Sequence, residues 1–172
     1  MVLGLSLSAF TTLHVAISLI GIASGIIVLL GMLGSMRLSA LTFLFLVTTA
    51  LTSITGFFFP FHGVTPGIVV GILSLVVLLP ASLARYAFHM AGAWRWIYVV
   101  TATIALWFNV FVLIAQLFEH VPALHALAPT GTEPPFKIAQ LCALVLFAVL
   151  GFLAVRRFHP AMPATESADP VA

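Results

Sequence analysis

The sequence predicts an all-α fold: an integral membrane bundle of about five transmembrane helices, with the N-terminus outside and the C-terminus inside. Three observations carry that expectation. Of 172 residues, 63% are hydrophobic and 6% charged, with a mean hydropathy of +1.28. A water-facing domain carries roughly 25% charged residues, so most of this surface is expected to face lipid. Five stretches match the length of about 20 apolar residues that a helix needs to cross a bilayer. The arginines gather at one end of the alternating spans.

The first span is read as 10–33, closed by Gly34-Ser35 and Arg37. No basic residue precedes its long apolar run, so it reads as a retained span and not a cleaved signal peptide. The second, 38–59, ends at Pro60 with His62-Gly63. The third, 66–88, stops at His89 to Gly92 and contains Pro80, where a kink is expected because one backbone donor is missing. The fourth, 93–120, gives way to a loop from Val121 to Pro135 that holds four prolines. The fifth is 136–158. Residues 1–158 then make a single helical domain, and 159–172, with three prolines and two acids, a disordered cytoplasmic tail. Gly21 with Gly25 and Gly67 with Gly71 place small residues one turn apart, a spacing that lets helices approach within the chain. No internal repeat is visible, which weakens an inverted-repeat transporter.

Arg37, Arg85, Arg95, Arg156 and Arg157 fall on one side of these spans, and Lys137 with Glu119 and Glu133 on the other. The positive-inside rule puts the arginines in the cytoplasm. Tyr86, Trp94, Trp96 and Tyr98 then form an aromatic belt at the inner interface. There is no Lys/Arg run to follow phosphates, so nucleic acid is not a partner. The lone Cys142 excludes an internal disulfide.

Polar side chains in hydrocarbon normally face the bundle interior or a cavity. Asn109, Leu113, Gln116 and His120 share one face of the fourth span, extended inward by Ala105 and Thr101, while Trp107 points the opposite way. His14, Ser18, Gly21 and Gly25 make a similar stripe on the first span, and Thr48, Thr52 and Thr55 on the second. Those threonines read as bonded to their own backbone. Lys137 and Gln140 open the fifth span. Topology brings His14, His62, Gln116, Glu119, His120 and Gln140 to the outer third. The candidate ligand-binding set is therefore His14, Ser18, His62, Asn109, Gln116, His120 and Gln140, with His14, His62 and His120 as candidate metal ligands. His89, His125 and His159 read as interfacial or loop residues.

Among known motifs, the chain has no phosphate-binding glycine loop, no H-E-x-x-H, no G-x-S-x-G and no pair of carboxylates within the spans. An enzymatic role therefore has no signature. The segments LTSITGFFFPFHG (51–63) and HMAGAWRWIYVV (89–100) resemble those of small multi-span membrane proteins of bacteria. That resemblance implies a multi-pass protein of the cell inner membrane and carries no activity, cofactor or residue role.

Three function classes follow. One is a structural or accessory subunit with a polar, histidine-containing pocket, surrounded by the lipid bilayer and by a membrane-protein partner or a second copy. Another is a redox protein holding haem b, a transition metal or a quinone in that pocket. The third is a small transport component lined by the stripe from Thr101 to His120.

The orientation has a direct test. Reporter fusions at Gly34, Gly92 and the C-terminus are expected to read cytoplasmic, and fusions at His62 and Thr130 external. A C-terminal fusion that reads periplasmic overturns the five-span order.

Overall fold

The computed structural model describes residues 2, 4–60, 63 and 65–160. Its elements are α1 (Leu7–Leu33), α2 (Ser39–Gly56), α3 (Pro66–Ser82), α4 (Trp94–His120), α5 (Pro122–His125) and α6 (Pro134–Arg157). A π-helical turn, Leu83–Ala87, prolongs α3. Five of these, counting α3 with its π turn, are long and apolar enough to cross a membrane. They agree with the five expected spans. The expected tail lies outside the described residues from 161 onward, as does His62.

Local chemistry sets the helix ends. Ser6 caps α1, its Oγ accepting from the Ala9 N–H at 3.2 Å. At the other end Ser35 takes a left-handed φ of 56°. This lets Met36 N–H reach the Gly31 carbonyl at 2.9 Å and Ser35 N–H the Met32 carbonyl at 3.1 Å, the paired bonds that close a helix C-terminus. The second helix stops at Gly56, three residues short of the expected end. Phe57 and Phe58 wind tighter, onto the Ile54 and Thr55 carbonyls, ahead of Pro60, which disfavours helical geometry in the residue before it. Thr65 and Pro66 start α3. Pro80 does not end it: α3 runs to Ser82 and then widens, Phe88 N–H bonding the Leu83 carbonyl at 2.9 Å. The short α5 was not expected; Pro122 starts it and it lasts one turn.

The hub is α4, which packs against α1, α2, α3 and α6. Its buried residues Val99, Ala102, Ala105, Leu106 and Asn109 are small or face neighbours directly. Gly25 of α1 meets this hub so closely that a Cβ there would lie 2.6 Å from Leu106 and 2.8 Å from Phe45. Gly21 sits against Thr48 and Thr49, and Gly71 against Phe57. The glycine spacing thus serves packing within the chain, except at Gly67, which is exposed.

At the arginine-bearing end the chain is tied across helices. Arg95 Nη1 donates to the carbonyls of Val155 at 2.9 Å and Phe158 at 2.8 Å, capping α6. Arg85 Nη2 donates to Ser39 Oγ at 2.8 Å, and His159 N–H to Ser35 Oγ at 2.8 Å. One expected belt residue belongs elsewhere. Tyr98 is 1% exposed, its hydroxyl 3.4 Å from Thr42 Oγ1. It shares the inward face of α4 with Ala102 and Ala105, one and two turns on, so helical period and not its aromatic type decides its place. Trp96 and Tyr86 are exposed, and Trp94 stacks on Phe88 at 3.8 Å.

The Gly25 contact predicts a contrast between two glycines. Gly25→Ala overpacks the hub and is expected to destabilise by about 1–3 kcal/mol. Gly67→Ala, whose Cβ meets Thr65 Oγ1 at 3.7 Å, is expected to be near neutral. Denaturation of the two variants in mild detergent measures the difference. Equal stability would show that α1 and α4 are not held this closely.

Candidate functional site

Apart from that of Arg85 to Ser39, the bonds between polar side chains of different helices among the described residues form one seam between α1 and α2 and two buried contacts from α2 to α4, at Tyr98 and Asn109. Gln140 of α6 bonds the backbone of α4. The seam begins at His14, whose Nδ1 lies 2.8 Å from Thr55 Oγ1. The Thr55 hydroxyl directs its proton to the Leu51 carbonyl at 2.6 Å. Its oxygen is left as an acceptor, so His14 carries the proton on Nδ1 and donates, and Nε2 holds the lone pair. The edge of the ring meets Phe59, with centroids 5.1 Å apart. One turn inward, Ser18 Oγ lies 3.2 Å from Thr52 Oγ1 while bonding its own helix at the His14 carbonyl. Gly21 follows, with Thr48 packed on its bare backbone.

Asn109 is buried where α4 faces α2, and its Nδ2 donates to Thr49 Oγ1 at 3.0 Å. Further along α4 on that face, Leu113 is half-buried, and Gln116 and His120 are exposed. The His120 Nδ1–H donates to the Gln116 carbonyl at 3.1 Å, within its own helix. Gln140 takes a different side of α4, its Nε2 donating to the Phe111 carbonyl at 3.0 Å.

The six candidate residues that the structure describes are therefore spread. His14 and Ser18 share the α1–α2 seam, Asn109 lies between α2 and α4, and Gln140 lies between α4 and α6. Gln116 and His120 sit on the surface near the end of α4, and His62 is outside the described residues. Among the described residues there is no cluster of three or more His, Cys, Asp or Glu side chains placed to hold a metal ion. His89 and His125 are exposed, as expected of interfacial and loop residues.

Two spaces lie against α4. One, between Gly25, Phe45, Ala102 and Leu106, has no room for a water molecule. The other is a groove of about 320 Å3 between α4 and α6, bordered by Trp107, Phe111, Phe136, Lys137, Gln140 and Leu144.

The loop ahead of α6 carries a latch that the residue pattern did not suggest. The Glu133 carboxylate accepts from Thr130 N–H at 3.1 Å, Thr130 Oγ1 at 2.9 Å and Thr132 N–H at 3.0 Å. Desolvation pulls its pKa upward, but these bonds outweigh it and hold the group below the usual carboxylate range.

No known family, no curated protein and no solved structure matches this chain.

The buried amide gives a test of the contact between α2 and α4. In a double-mutant cycle, Asn109→Leu and Thr49→Val are expected to couple by about 0.6 kcal/mol, the average for interhelical hydrogen bonds in membranes. Unfolding in detergent supplies the four free energies. Strict additivity would mean that this bond does not hold α2 to α4.

Proposed function

We propose that this chain is a multi-pass protein of the cell inner membrane, N-terminus outside and C-terminus in the cytoplasm, acting as a structural or accessory subunit. The observation that carries the reading is where the intramembrane polar groups go. His14, Ser18 and Asn109 each meet a threonine of α2, and Thr48, Thr101 and Thr103 bond their own helices. Of these, His14, Ser18 and Asn109 join helices, and the threonines satisfy themselves within their own. The space enclosed between α1, α2 and α4 has no room for water, which disfavours a transport route there. The five arginines at one end support the orientation. Large apolar side chains line the outer faces of α3 and α6, among them Val76, Leu79, Leu144, Val145 and Phe152. Lipid, a membrane-protein partner or a second copy would cover them.

One observation favours a second reading. The tautomer fixed by Thr55 leaves the His14 Nε2 lone pair without a hydrogen-bond partner among the described residues. Neutral imidazole in that form ligates haem iron or a transition metal. A quinone carbonyl, itself an acceptor, would need the opposite tautomer.

The protein purified from its membrane in mild detergent separates these readings. The subunit reading expects a visible spectrum without a haem band, and migration on a native gel as part of a larger complex that persists in His14→Ala. A haem band that disappears in His14→Ala would replace it with the redox reading.

A further inference from the structure

The groove between α4 and α6 lies away from the polar seam, because Trp107 and Asn109, two residues apart, point about 200° apart around α4. We propose that it is a binding site for an anionic glycerophospholipid of the surrounding bilayer, with the phosphate on the Lys137 ammonium and an acyl chain laid between Leu144 and Trp107. The proposal rests on the helices lying in a bilayer and goes beyond the subunit role.

The order of groups along the groove is the first argument. Lys137 stands in the first turn of α6, Gln140 nearly one turn further in, and Leu144 one turn beyond that. At 1.5 Å per residue, Lys137 and Leu144 are about 10 Å apart along the axis. A cation at the mouth, an amide below it and apolar walls beneath follow the same sequence as phosphate, glycerol ester and acyl chain. The volume of about 320 Å3 holds part of a lipid chain with its glycerol region, within the usual range of ligand clefts.

Charge is the second argument. Lys137 is the one lysine of the chain, and the five arginines belong to the opposite end of the spans. Glu133, the acid one turn before it, turns its carboxylate to Thr130 and Thr132. Glu119 does not border the groove. An anionic headgroup therefore complements the Lys137 charge, whereas a neutral or zwitterionic lipid adds no net charge to meet it.

The third argument is unmet hydrogen bonding in two of the bordering residues. Trp107 Nε1 and Gln140 Oε1 are buried without a hydrogen-bond partner, a costly state in an apolar setting. Trp107 lacks an acceptor and Gln140 a donor. Both atoms lie just behind the groove surface, so a lipid would meet them only once the Trp107 and Gln140 side chains turn toward it. Its ester carbonyls would then supply the first, and a glycerol headgroup, whose hydroxyls donate, the second. A bare hydrocarbon chain supplies neither, so phosphatidylglycerol is the probe of choice.

Trp107 can report on its own occupant once Trp94 and Trp96, the other two tryptophans, are changed to Phe. The full chain is placed in phosphatidylcholine vesicles with either phosphatidylglycerol or phosphatidylcholine carrying brominated acyl chains, and quenching of Trp107 is titrated. Brominated phosphatidylglycerol is expected to associate about fivefold more tightly, the worth of one lysine beside an anionic headgroup. Lys137→Gln is expected to remove the preference and Lys137→Arg to keep it. Equal quenching by the two lipids in the parent, or a preference that survives Lys137→Gln, overturns the proposal. So does displacement of the brominated phosphatidylglycerol by a short-chain quinone to the same extent in parent and Lys137→Gln, which would give the groove to a quinone. Absence of quenching by either lipid instead overturns the bilayer reading, and the site with it. If the tryptophan-depleted chain does not fold, native mass spectrometry of the unsubstituted protein reads the same preference. Phosphatidylglycerol adducts should outnumber phosphatidylcholine adducts at equal supply and fall to parity in Lys137→Gln.

Discussion

Leu106 and Phe45 close over the bare backbone of Gly25, and the placing of the other helices follows from that contact. It sets α1 against α4 so closely that a Cβ at Gly25 would have to push the Leu106 and Phe45 side chains aside. With α1 and α4 that near, α2 can reach both, so Thr49 meets Asn109 on one side while Thr52 and Thr55 meet Ser18 and His14 on the other. Hydrogen bonds between membrane helices are individually weak. Here they act as alignment pins on a bundle whose cohesion comes from close packing of Val28, Leu29, Phe45, Val99 and Leu106.

Helix positions were legible because span length and breakers are properties of local composition. Gly34-Ser35, Pro60, the stretch around Gly92 and the proline-rich stretch after His120 each interrupt an apolar run, and the helices stop within a few residues of them. The short α5 was missed because a single turn started by Pro122 leaves no periodic pattern. Within spans, the period of 3.6 correctly grouped His14 with Ser18, and set Trp107 apart from Asn109. It could not say how far a shared face stays covered. Asn109 and His120 lie on one stripe, yet one is buried and the other exposed, since burial depends on where the neighbouring helices end. By type and position alone, the threonines of α2 read as bonded to their own backbone. Thr55 does bond there, and its oxygen also receives His14. The matching stripes on α1 and α2 were the signal for that pairing.

The two ends of the bundle differ in how they are held. At the arginine-bearing end, guanidinium groups reach across helices to carbonyls and hydroxyls, as Arg95 does to Val155 and Phe158 and Arg85 to Ser39. At the other end Phe10 and His14 meet Phe59, Phe118 meets Phe136, and the loop is fastened to itself by Glu133. The groove of Lys137 lies at the end without guanidinium ties.

The Arg95 clamp also has a meaning in time. A ribosome releases α4 well before α6, so Arg95 waits at the head of an already emerged helix until Val155 and Phe158 arrive with carbonyls free. Until then its guanidinium must be served by water or by lipid phosphate. The arrival of α6 exchanges those partners for protein ones, so the later helix is held by a residue made some sixty positions earlier.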